Sequence, residues 1–201
     1  MNRIIMLVTL AALAVVSACG VGVVSNVPLK PSALKDVPAE KLPCRVALIA
    51  DPAIRQVKAL KKETFMGDAE YMITTMPNFY LGVLAANFEE VEIKEPGEDL
   101  EGFDLAARME VRKWEIQGAA TIYSANRVEI DFHFEITDVK DGKVVFTDDE
   151  GSVRWINYQD AAGPNVKNPF LALCQEIVDS AFEMLSKRIG ASEELKNVCR
   201  Q

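Results

Sequence analysis

Val128-Glu129-Ile130-Asp131-Phe132-His133-Phe134-Glu135-Ile136-Thr137 alternates apolar and polar side chains without a break. Successive side chains of a strand point to opposite faces of its sheet, so this stretch predicts a strand with Val128, Ile130, Phe132, Phe134 and Ile136 inside. Glu129, Asp131, His133, Glu135 and Thr137 then face water. Asp141-Gly142 is a two-residue hairpin signal, and Lys143 to Thr147 begins a returning strand that runs on toward Trp155. Upstream, Leu105, Ala107, Met109 and Val111 alternate with Arg108, Glu110 and Arg112. Three such strands describe an antiparallel meander with one wet face.

The meander needs a cover for its apolar face, and two amphipathic segments supply it. Ala69, Met72, Ile73, Met76, Tyr80, Val83, Leu84 and Asn87 recur at spacings of three and four, which predicts a helix from about Asp68 to Phe88. Pro77 lies inside it and removes a backbone donor, so a kink is expected there. The alternative is two shorter helices, with Pro77 in the first turn of the second. The terminal helix opens with Asn168 as N-cap and Pro169 in the first helical position. Leu171, Cys174, Val178, Ala181 and Leu185 line its centre, and Gly190 is expected to end it. Val46 to Ile49, within Arg45 to Ala50, is a short apolar run suited to a strand buried on both faces. Asp51 to Phe65 has only weak periodicity and reads as a loop. The expected fold class is α+β: an antiparallel-rich sheet of four to five strands with two amphipathic helices packed on one face, in the order β-α-β-β-β-(β)-α.

The N-terminus sets the location. Arg3 is followed by an uncharged, mostly apolar run from Ile4 to Val16 and then by Val16-Ser17-Ala18-Cys19. This is a signal sequence, too short to span a bilayer comfortably. Its last four residues resemble the lipobox of bacterial lipoproteins. The resemblance implies that Cys19 carries diacylglycerol, is freed from residues 1–18 and is then N-acylated. Gly20, where Asp would favour inner-membrane retention, implies the periplasmic face of an outer membrane. Pro28, Pro31, Pro38 and Pro43 mark residues 19–43 as the lipidated N-terminus and a flexible tether, with a single periplasmic domain over 44–201. Fully extended, such a tether reaches roughly 80 Å, and as a coil about 25 to 30 Å.

Lipobox, proline-bearing tether, the Val46 to Ala50 strand, a first helix ending at Phe88 before Glu90-Val91-Glu92-Ile93, meander and terminal helix together resemble small α/β outer-membrane lipoproteins. These include the lipopolysaccharide-assembly lipoprotein LptE, YajG-type lipoproteins and auxiliary lipoproteins of ABC transport systems. The resemblance rests on element order and implies a non-enzymatic accessory bound to an envelope protein complex, with membrane contact through its acyl chains. No functional residue transfers from it by position.

Charge and motif content point the same way. Of 201 residues, 30 are Asp or Glu and 22 are Lys or Arg. Loss of Arg3 leaves 21 basic residues, a mature charge of about −9, which argues against nucleic acid as a partner. His133 is the only histidine, so a zinc pair of histidines is excluded and any Ser-His-Asp triad would have to use it. Its neighbours Glu129, Asp131 and Glu135 suit a solvated face paired with Arg108 and Arg112 better than a catalytic site. Asp148-Asp149-Glu150-Gly151 lacks the ligand spacing of an EF-hand and reads as a turn or strand-edge charge cluster. No metal, cofactor or catalytic residue is expected. Trp114, Trp155 and Tyr158 either form an aromatic contact surface or pack at the sheet's edge.

Three cysteines remain once Cys19 is lipidated. Cys174 falls on the apolar stripe of the terminal helix, whereas Cys44 precedes the first strand and Cys199 follows the helix. A Cys44–Cys199 disulfide is expected in an oxidising periplasm; the alternative leaves Cys199 unpaired on a frayed tail. The functional expectation is an accessory lipoprotein acting through protein contacts in outer-membrane assembly or transport, with a lipid or small-ligand binding module as the alternative. Partner contacts are expected in the loop from Asn157 to Lys167 rather than at Glu129 or His133 on the sheet face. Cys19→Ala is expected to abolish lipidation and leave uncleaved precursor; metabolic labelling with a palmitate analogue checks this, and equal labelling of variant and wild type overturns the anchor.

Overall fold

The alternating stretch lies within a strand, Ala125–Asp138, whose inward residues Val128, Ile130, Phe132, Phe134 and Ile136 are at most 1% exposed. A computed structural model describes residues 24–26, 29–34, 38, 40–62, 69–117, 125–157 and 169–200 of the chain. In chain order its elements are β1 (Val24–Asn26), β2 (Leu42–Ile49), α1 (Pro52–Arg55), β3 (Val57–Lys62), β4 (Ala69–Ile73), α2 (Met76–Asn87), β5 (Phe88–Lys94), β6 (Leu105–Gln117), β7 (Ala125–Asp138), β8 (Val144–Asn157), α3 (Pro169–Ala191) and α4 (Glu193–Val198). The fold is α+β, with the meander β6-β7-β8 antiparallel as expected.

The sheet is larger and more mixed than four to five antiparallel-rich strands. Eight strands join in one sheet, and β2 pairs in parallel with both β5 and β6. Along its other edge β6 is shared: β2 lies beside Leu105 to Ala107, and β3 lies beside Glu115 to Gln117. Val46 faces Leu105 and Leu60 faces Glu115, so fourteen steps of one strand match ten of the other. The excess equals the four residues of α1, which bulge out of what is otherwise one long strand. Asp51 caps this turn, its side chain accepting from the Ala53 amide at 2.8 Å, and Pro52 stands in its first turn. The expected loop over 51–65 is therefore a helical turn and a strand as far as Lys62, with 63–65 outside the described residues.

The helix expected over 68–88 begins only at Met76. Ala69–Ile73 is a strand, antiparallel to β3 and parallel to β1. Pro77 sits in the first turn of α2, where its missing N–H costs nothing, and no kink is needed. The spacing that seemed to cross the proline joins a buried strand end, Ile73, to a buried helix face, Met76, Tyr80, Val83 and Leu84. Both signals are apolar, and three-residue spacing cannot separate them across a short gap.

α2 and α3 pack on one face of the sheet. Phe182 of α3 stands 5.7 Å from Phe132, 5.5 Å from Phe134 and 5.5 Å from Phe79, and Tyr80 stands 5.3 Å from Phe134. Each such ring contributes roughly 1.5 to 3 kcal/mol of burial. Asn87, buried between the helices, donates its Nδ2 to the Val83 carbonyl and to Ser186 Oγ, both at 2.9 Å. A smaller cluster of Ala47, Ile49 and Ala106 lies on the opposite face, covered by Leu100, Phe103 and Val139. Cys44 and Cys199 are joined by a disulfide that ties the start of β2 to the turn after α4, and Cys174 is a buried free thiol.

Part of the expected tether is built into the domain. β1 pairs with β4, and Leu29 is buried in the main core. Gln175 of α3 exchanges two bonds with the Lys30 backbone, accepting from N–H at 3.0 Å and donating to C=O at 2.7 Å, and Ser32 Oγ donates to Asp179 at 2.7 Å. Residues 29–34 thus form a strap along α3. Gly190 does not end that helix, which continues through Ala191. A Cβ at 190 would lie 2.9 Å from Pro38 Cγ and 3.1 Å from Asn87 Oδ1, so glycine is required for close approach of the strap. Gly190→Ala gains about 1 kcal/mol of helix propensity but must displace a proline ring, at about 1 to 3 kcal/mol. A lower urea midpoint is expected by circular dichroism; a higher one shows that the strap yields without cost.

Candidate interaction surface

The face of β6, β7 and β8 turned away from the helices carries the candidate site. Strand alternation places Arg108 and Glu110 of β6, Glu129, Asp131, His133 and Glu135 of β7, and Thr147, Asp149, Val153 and Trp155 of β8 on it. The register shifts between Val111 and Lys113, and the extra residue is Arg112. Arg112 reaches across to Asp149, Nη1 to Oδ1 at 2.8 Å, and to Glu110 at 3.5 Å. His133 Nδ1 meets the same Asp149 oxygen at 2.7 Å. The His133 hydrogen bond, with the Arg112 charge behind it, holds the Asp149 carboxyl below its ordinary range.

A second cluster follows toward the other end of the strands. Lys113 bonds Glu129 at 3.0 Å, Arg127 pairs with the same carboxylate, and the Arg127 guanidinium lies 5.4 Å from the Trp155 ring centroid. The hydrogen bond from Lys113 lowers the Glu129 pKa, and Lys113 is raised in turn. Where the sheet forks around α1, a cavity of about 420 Å³ opens between Asp51, Pro96, Arg108, His133 and Glu135. No Ser, Thr, Tyr or Cys is among the described residues that line it. Cys174 lies on the helix side of the sheet, where burial pushes its thiol up to about 12, so His133 is not placed to activate it.

The acidic run Asp148-Asp149-Glu150 is mid-strand in β8, which pairs only with β7 and so forms an edge of the sheet. Alternation separates its carboxylates. Asp149 faces the open side, whereas Asp148 and Glu150 turn inward beneath α3, each 2.5 Å from Arg188 Nη1. The three do not converge on one cation. Inward charge on an edge strand opposes pairing with another sheet, which is the strand-edge role read from the sequence. The alternation within 148–150 was the available sign that Asp148 and Glu150 point the same way. The bulge at Arg112 and the strap contacts of Gln175 and Asp179 had no comparable sign. Trp114 is buried and Trp155 is 62% exposed. Cys19, Tyr158 and all but Asn157 of the loop from Asn157 to Lys167 lie outside the described residues.

A mixed sheet with two helices on one face and an open, charge-paired surface on the other defines the class. No protein-family model matches the chain, and no curated protein matches it. Among solved structures, protein XCC0632 from Xanthomonas campestris is similar in fold, with a TM-score of 0.49 and 12% identity, over 90% of this chain and 100% of that one. A minor lipoprotein from Acinetobacter baumannii is similar with a TM-score of 0.45 and 16% identity, over 76% and 94%. The PelC dodecamer from Paraburkholderia phytofirmans gives a TM-score of 0.42 and 18% identity, over 75% and 90%. Several of the similar structures are of bacterial lipoproteins. Among the described residues no helix is long and apolar enough to cross a membrane.

Burial raises the Glu150 carboxyl above its ordinary range, against the opposing charge of Arg188. Between the ordinary carboxylate pKa and that raised value the folded state holds more proton than the unfolded chain, so this group's contribution to stability falls as pH rises. Glu150→Gln removes the titration while Asp148 keeps its pair with Arg188. The variant is expected to lessen the loss of urea midpoint as pH rises above the ordinary carboxylate range. A midpoint that drops more at neutral than at acid pH shows instead that the Arg188 pair outweighs burial.

Proposed function

We propose that the chain is a non-enzymatic, lipid-anchored envelope protein that acts through protein contacts at the periplasmic face of an outer membrane, in assembly or transport, as the small lipoproteins it resembles do. Residues 1–18 are the signal peptide, Cys19 is the lipidated residue, and the folded unit reaches back to the strand at Val24. One observation carries the reading: a set of the charged groups on the open face is engaged in fixed pairs. His133 is held by Asp149, Asp149 by Arg112, and Glu129 by Lys113 and Arg127. Fixed pairs of this kind suit recognition by charge. A histidine held at Nδ1 by a carboxylate is also how a general base is oriented, but the described lining of the cavity beside His133 offers no Ser, Thr, Tyr or Cys for it to activate.

The small-ligand reading keeps one supporting observation. The space between helices and sheet is filled by aromatic rings, but an open groove of about 720 Å³ lies between the strap, α2 and α3, with Leu34, Phe79, Val83 and Phe182 among its lining residues. Its volume is in the range of small-ligand sites.

Purification of the native protein from detergent-solubilised membranes separates the two. A stoichiometric protein partner is expected; binding lost on deleting residues 160–165 but kept by Glu129→Ala and His133→Ala assigns the contact to the loop, and the reverse pattern assigns it to the charged face. Bound lipid detected by mass spectrometry, with no protein partner, assigns the groove as the working site instead.

A further inference from the structure

The position of β1 fixes which end of the domain the anchor leaves from. Val24 pairs with Glu70, Glu70 with Leu60, Leu60 with Glu115, Glu115 with Glu129, and Glu129 with Val153. One lateral line therefore crosses six strands from the anchored N-terminus to the far edge. The next line but one toward Cys19 contains Lys62, Gln117, Arg127 and Trp155. Five steps of chain separate Val24 from Cys19, a reach of at most about 17 Å. Six strands at their usual spacing span roughly 24 Å. The end of the sheet that carries Trp155 is thus the end from which the chain runs to the bilayer, and the link is shorter than the sheet is wide.

The side chains at that end match a lipid interface. Trp155 is 62% exposed, the most exposed large apolar side chain among the described residues, and Val153 beside it on the same face is 37% exposed. The Arg127 guanidinium covers one side of the indole. An amphipathic ring next to a cation is the combination favoured at the level of lipid headgroups, where the ring meets acyl chains and the cation meets phosphate. The remaining exposed large apolar side chains, Ile93, Val144 and Met184, lie on other elements or, for Val144, at the opposite end of β8.

We propose that the β1 end of the sheet lies on the lipid surface that holds Cys19, with Trp155 seated at the interface. This rests on the lipid-anchor reading above. The chain has two tryptophans, and Trp114 is only 5% exposed, so lipid-dependent change in emission reports Trp155. The test uses full-length lipidated protein in phosphatidylethanolamine and phosphatidylglycerol vesicles, with and without acyl-chain-brominated phosphatidylcholine. Brominated lipid is expected to quench the wild type, and Trp155→Phe is expected to lose that quenching while still floating with the vesicles. Protein that floats but is not quenched overturns the interfacial seat and leaves the anchor intact. Quenching undiminished in Trp155→Phe places the lipid elsewhere and overturns it as well. Protein that does not float overturns the anchor reading together with this inference.

Discussion

β6 is paired on both edges, and the rest of the sheet is organised by how those edges are divided. One edge carries β7 along nearly its whole length, and the other is split between β2 at its start and β3 at its end. A backbone donor or acceptor in a buried strand must find a partner, so β2 and β3 can share one edge only if the chain between them leaves and returns in register. The four residues of α1 are that detour. The fork it creates opens the cavity beneath His133 and Arg108, so a constraint on backbone pairing produces a concave feature on the polar face.

The two faces of the sheet are resolved in opposite ways. On the helix side, Phe132, Phe134 and Phe182 close the interior, and the polar groups admitted there, Asn87 with Ser186 and Arg188 with Asp148 and Glu150, bind the helices to each other and to the edge strand. Buried charge is costly unless paired, and one guanidinium between two carboxylates leaves one of them poorly compensated. Stability is given up there, and β8 is kept from accepting another strand. On the open side the same alternation presents charged groups to water, several of them paired across the strands.

The strap binds chain that the sequence marks as a proline-bearing tether to the domain: Leu29 lies in the core, Gln175 bonds the Lys30 backbone and Pro38 packs against Gly190. The Cys44–Cys199 bridge fixes the far end of the strap, where β2 begins, to the chain terminus. Closing a loop of 155 residues is a large restriction on the unfolded chain, worth up to about 5 kcal/mol on the chain-entropy view.

The sequence by itself determined the parts whose physics is local. The alternation of 128–137 established β7 and its buried face, the period of 169–191 established α3, and Gly142 with its positive φ of 71° served the hairpin. Each depends on side-chain period or on one residue's backbone freedom, and both are written in neighbouring residues. Only the tertiary structure decided that Ala69–Ile73 is a strand, that Lys58 to Lys62 belongs to the sheet, that residues 24–26 pair with it and that residues 29–34 lie along α3. Their patterns are too short to separate strand from helix or loop, and their conformation is set by backbone partners far away in the chain: β3 and β4 need each other and β6, and β1 needs β4. Gly190 shows the same division in one residue. Read locally it is a helix terminator, but in the folded chain it is the gap through which the strap passes.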